Sequence, residues 1–172
     1  YLAAIIERLA DPDGILSGFG VYIAVLDNYP DAKTQLQDAG EKATHAYAVL
    51  AADELGKIVP NDESIQTVFG RFKAAINALS FFPQEQSYLR DREESMAADY
   101  AQRSLERIKA QSERLSETAL KEAGRIYQKV LQNLASHKAS RATFQASYEN
   151  YSKEFLNYAL LHATQKDLPL LV

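Results

Sequence analysis

Apolar side chains recur along this chain with a helical period, most plainly where Ile65, Val68, Phe69, Phe72, Ala75, Ile76 and Leu79 alternate in steps of three and four. Gln66, Arg71, Lys73 and Asn77 fill positions between them. At 3.6 residues per turn this spacing gathers the apolar set onto one stripe, so an amphipathic helix is predicted here, with one continuous core face. Asn61, between Pro60 and the acids Asp62-Glu63, is the expected N-cap, and the acids suit the positive end of the helix.

A longer stripe follows Pro83. Ala101, Leu105, Ile108, Ser112, Leu115 and Ala119 step four-three, and Ala123, Ile126, Val130 and Leu134 continue after one slipped step. Between Gln84 and Ser136 there is no proline and a single glycine, Gly124. The pattern predicts one coiled-coil-like helix of about 50 residues from Gln84 to His137, a rod on the order of 80 Å along which the other helices pack. Gly124 is its weakest point, costing roughly 1 kcal/mol relative to Ala.

The remaining segments read as shorter helices punctuated by proline and glycine. Leu2 to Ala10 is a short helix stopped by a turn at Asp11-Pro12-Asp13-Gly14. Asp31 to Val59 is a helix whose apolar face runs through Leu36, Gly40, Ala43, Tyr47 and Leu50, small enough in places to let a neighbour approach closely. A bend is expected at Ser136 to Ser140, with Thr143 capping a final helix that runs to about Thr164. That helix carries the stripe Phe144, Tyr148, Tyr151, Phe155, Tyr158 and His162, and Leu168 to Val172 is an apolar tail that must dock, bind or continue. The expected fold is all-α: an elongated bundle of four or five helices forming a single helical domain over residues 1–172. Because the chain begins at Tyr1, a processed form or a fragment of a longer protein is expected.

One stretch fits no simple period. Gly14 to Leu26 is apolar, with glycines, aromatics and β-branched residues intermixed. Its structural reading is a helix buried on all sides. Its functional reading is a membrane-entering tip, with Phe19, Val21, Tyr22, Ile23, Val25 and Leu26 as the lipid-facing residues. At 13 residues it is too short to cross a bilayer as a helix, which takes roughly 20.

Charge narrows the partners. The net charge is −4 and the sequence pI about 5.4, which gives no general attraction to phosphate backbones. Between Glu85 and Lys129 nine acids face nine bases, a mixture that suits solvated helix flanks and interhelical pairs better than a nucleic-acid track. There is no cysteine, so disulfides, thiolate metal sites and cysteine nucleophiles are excluded.

Candidate chemistry is sparse. His45, His137 and His162 lie on separate segments, and the Glu-x-x-His spacing of helical di-iron sites does not occur. Glu41 and His45 share a helix face without a third ligand nearby in sequence. The acid pairs Asp53-Glu54, Asp62-Glu63 and Glu93-Glu94 are adjacent, so on a helix they diverge by about 100°. No nucleophile elbow or glycine-rich phosphate loop is present. The expectation is therefore a non-enzymatic helical scaffold or protein–protein interaction module with no catalytic residue, metal or cofactor. Its partner is a protein or a second copy of itself, not nucleic acid. Tyr148, Tyr151, Phe155 and Tyr158 form the candidate partner surface, and a membrane-active bundle using residues 14–26 is the alternative.

Overall fold

The computed structural model describes residues 12–35, 37–113 and 116–166, which are helical throughout apart from connecting turns. The helices are α1 (Pro12–Asn28), α2 (Ala32–Gln35), α3 (Gln37–Gly56), α4 (Ile65–Ala78), α5 (Pro83–Ser112), α6 (Glu117–Asn133) and α7 (Lys138–Lys166). The all-α class is as the periodicity requires. Seven helices rather than four or five appear among the described residues, one of them a single turn. The helix expected at Leu2–Ala10 and the tail Leu168–Val172 lie outside the described residues. Two compact units are present: the first runs up to Val59 and takes in Gln66–Glu93, the second comprises Pro60–Ile65 and the chain from Glu94 onward.

In the first unit α1 and α3 form an antiparallel hairpin. Phe19 stacks on Tyr47 at 4.0 Å between ring centroids, and Tyr22 lies over Gly40. α1 begins at Pro12, so the turn expected at Asp11–Gly14 is instead a helix start, the place where proline's fixed φ and missing N–H are harmless. The stretch expected to be buried all round has one packed face: Phe19, Tyr22 and Leu26 are core, Ile23 and Val25 are half-buried, and Val21 is 44% exposed. α4 buries Ile65, Phe69, Phe72, Ile76 and Leu79 as one face, while Gln66, Arg71, Lys73 and Asn77 are exposed. Asn61 caps it, its Oδ1 accepting from the backbone N–H of Glu63 (2.9 Å) and Ser64 (2.8 Å). At its other end Gln86 Nε2 donates to the carbonyl of Ile76 at 2.9 Å, satisfying one of the acceptors a helix C-terminus leaves open.

The continuous spine does not form. α5 is 30 residues long and ends at Ser112; α6 is 17 residues long and begins at Glu117. Ser116 precedes it in extended backbone (φ −109°, ψ 150°), and its Oγ accepts from the N–H of Ala119 at 3.2 Å. Gly124, the expected weak point, lies inside α6. The chain folds back here: Asn133 Nδ2 donates to Tyr100 Oη at 2.8 Å. In a single straight helix those two residues would lie about 50 Å apart along the axis. The stripe itself is nonetheless core, with Ala101, Leu105, Ile108 and Ser112 of α5 and Ala119, Ala123, Ile126, Val130 and Leu134 after the turn all buried.

A second reversal at Leu134–His137 sends α7 back alongside α5. Tyr127 of α6 stacks on Tyr148 (4.0 Å) and Phe144 (5.7 Å) of α7. Thr143 is not the cap; the helix starts five residues earlier, at Lys138. Glu94 of α5 serves instead, its Oε1 accepting from Ser140 N (3.0 Å) and Ser140 Oγ (2.6 Å), so a carboxylate sits at the positive end of α7. The second unit is thus an up-down-up arrangement of α5, α6 and α7.

Candidate functional site

Three places in the described residues combine shape with chemistry. The most polar is a cluster in the second unit that runs from buried Tyr100 and Asn133 out to exposed Arg107. Asp62 accepts from Tyr100 Oη (2.8 Å) and Arg107 Nη2 (3.1 Å), and Asn133 Nδ2 reaches both Tyr100 Oη and, at 3.4 Å, the carbonyl of Asp62. Burial pushes the Tyr100 phenol far above its ordinary range, and the Asp62 carboxylate adds to this. The cluster pins the segment before α4 to the α5–α6 hairpin, and both Asp62 carboxylate oxygens, the Tyr100 hydroxyl and Asn133 Nδ2 are paired within it. That is a structural lock.

The second place, in the first unit, is a cavity of about 380 Å³ bordered by Tyr22, Lys33, Gln37, Glu41, Phe81 and Phe82. Lys33 already fills part of its chemistry: its Nζ lies 5.4 Å from the centroid of the Phe82 ring and 3.4 Å from the carbonyl of Phe81. Burial, with help from Glu41, raises the Tyr22 phenol.

The third is the aromatic stripe of α7. A groove of about 530 Å³ runs between the end of α5 and the middle of α7, lined by Lys109, Glu113, Tyr151, Glu154, Phe155 and Tyr158. Positions 151, 155 and 158 share one helix face, and the Tyr151 and Phe155 rings stand 5.9 Å apart at 34°. Tyr151 and Phe155 are half-buried and Tyr158 is 53% exposed, so ring surface remains available along the groove. Three of the four residues singled out in the sequence therefore come together. The fourth, Tyr148, does not join them; it is held in the stack with Tyr127 that fastens α6 to α7. Lys109 and Glu113 were missed, because nothing in a single helix period tells which residues of a second helix will face it; Glu154, three residues from Tyr151 on the same helix, was legible from spacing and was passed over.

The other sequence candidates separate. Of the membrane-segment residues, Phe19, Tyr22 and Leu26 pack into the first unit, with only Val21 exposed. No described helix is long and apolar enough to cross a membrane. His45 is exposed, and its neighbour Glu41 accepts instead from Gln37 Nε2 at 3.3 Å. His137 is buried at the α6–α7 reversal beside Ser136, with 3.2 Å between Oγ and Nδ1. No group of three or more His, Asp or Glu side chains that could hold a metal is found among the described residues. Comparison with known proteins adds no relative: no family model, curated protein or solved structure matches the chain.

Proposed function

We propose that this chain is a non-enzymatic helical interaction module that engages a protein partner through the second half of α7. The observation that carries the reading is the surface of that half-helix. Tyr151, Phe155 and Tyr158 line the open groove on one side, while Leu156, Leu160 and Leu161, on the other, are 59%, 63% and 69% exposed. A helix that is apolar around most of its circumference is one that other protein surrounds. Aromatic side chains with a flat apolar body and a polar tip are also the residues most enriched where proteins meet.

Position-specific photocrosslinking in cells expressing the chain tests this. A photoreactive residue at Leu156 or Tyr158 should give discrete protein adducts, whereas one at Ala74, exposed on α4, should not. Adducts of equal yield at all three positions, or none at the α7 positions, would refute the reading. Sedimentation across a concentration series separates a second copy of the chain from a different partner. The competing lipid-binding reading would require α1 to withdraw Phe19 and Tyr22 from their packing, and vesicle flotation of the intact protein measures it directly.

A further inference from the structure

We infer that the groove between α5 and α7 is built to receive a positively charged side chain, an ammonium or guanidinium carried by the partner protein; this rests on the interaction reading and assigns its chemistry. The floor is made of aromatic rings, Tyr151 and Phe155 at 5.9 Å with Tyr158 one turn further on. Ring faces carry the negative lobe of the aromatic quadrupole, so a cation gains over them an attraction that a neutral group of the same shape does not. The rim supplies two carboxylates, Glu113 just past the end of α5 and Glu154 from α7.

Lys109, the one base among the described lining residues, does not cancel them, because its Nζ is already 3.2 Å from the carboxylate of Glu106. The groove thus presents two negative charges beside rings whose faces prefer a cation. An anionic side chain would meet repulsion from both acids. A purely apolar one would gain contact with the rings but draw water away from the carboxylates without replacing it. A cation satisfies floor and rim together. The chain uses the same contact elsewhere within itself, with Lys33 over Phe82 at 5.4 Å and Arg92 over Tyr88 at 5.5 Å.

Two probes of one shape and different charge test the assignment: choline, and its uncharged isostere 3,3-dimethyl-1-butanol. Titrated into the intact protein and followed by the NMR signals of Tyr151 and Phe155, choline should bind at least about tenfold more tightly than the alcohol. Glu154→Gln, at an exposed position, should erase most of that difference by weakening choline. Tyr151→Leu should weaken choline alone. On the partner, adducts formed at Tyr158, which lines the groove, should map within one helical turn of a lysine or arginine. Equal binding of the two probes, no choline binding, or adducts remote from any basic residue would overturn the inference. If choline fails while position-specific adducts persist, the charge assignment falls and the interaction reading stands. If choline binds and no adducts form, the reverse holds.

Discussion

The approach of Tyr22 to Gly40 in the first unit turns on one missing methyl group. A Cβ at Gly40 would lie 3.0 Å from Cζ of Tyr22 and closer still to the Tyr22 hydroxyl. Tyr22 cannot swing aside, since it is buried and flanked by Phe19 and Phe82. In an open helix Gly→Ala would stabilise by about 1 kcal/mol. Here overpacking outweighs that gain, and Gly40→Ala is expected to destabilise by about 1–3 kcal/mol in denaturant titration. Adding Tyr22→Phe should recover part of the loss, because it removes the atom that clashes. A double-mutant cycle that adds without coupling would contradict this. Tyrosine titration gives a second test at this scale. The phenols of Tyr22, Tyr47 and Tyr100 are all raised, in each case chiefly by burial, so folding favours their neutral form. Their contribution is full below the ordinary tyrosine pKa of about 10 and is lost as pH rises above it. Tyrosinate absorbance should therefore rise in two phases, the later coinciding with loss of helical signal. Tyr100→Phe should shrink the later phase and cost about 1–3 kcal/mol at neutral pH by stranding Asp62 and Asn133.

At the scale of elements, α4 is the plainest case of pattern becoming packing. Its stripe was visible as a 3.6-residue period, and the same residues are buried as one face. Phe72→Ala should destabilise by about 3–5 kcal/mol, the range for an aromatic removed from a packed core. A loss under about 1 kcal/mol would mean that the face is not core. The α5–α6 hairpin is the opposite case, in which the pattern predicted one continuous rod and the chain instead turns back. Ending one helix and starting another gives up about four backbone hydrogen bonds, each worth roughly 1 kcal/mol net. Folding back lets Leu105, Ile108, Ile126, Val130 and Leu134 bury one another, and at about 2 kcal/mol each that is on the order of 10 kcal/mol. Set against the roughly 4 kcal/mol given up, the hairpin wins by about 6 kcal/mol. The chain lacks cysteine, so spin labels at Gln102→Cys and Gln132→Cys, both exposed, report on it cleanly. A rod places them about 45 Å apart. The hairpin should bring them within about 25 Å, given an interhelical spacing of roughly 10 Å.

For the molecule as a whole, the two units divide the candidate functions between them. The apolar α1 helix belongs to the first and the aromatic groove to the second. Val21→Asp distinguishes a packed α1 from a lipid-entering one. Because Val21 is exposed, the variant should keep its helical spectrum and its melting temperature within a few degrees. Val21→Asp that abolishes a vesicle association measured in the wild type would favour lipid instead. What the sequence determined by itself was helix, face and cap: the all-α class, the buried stripes of α4, α5 and α6, and Asn61 at the start of α4. These follow from hydrophobicity and a 3.6-residue period, both properties of neighbours along the chain. Only the tertiary structure decided that the long stripe folds back on itself after Ser112, that Glu94 caps α7, that Tyr148 stacks on Tyr127, and that Lys109 and Glu113 face Tyr151 and Phe155. The reason is physical: a stripe specifies that a face must be covered and leaves open what covers it. That choice rests on a balance of a few hydrogen bonds at one turn against side-chain burial between residues far apart in sequence.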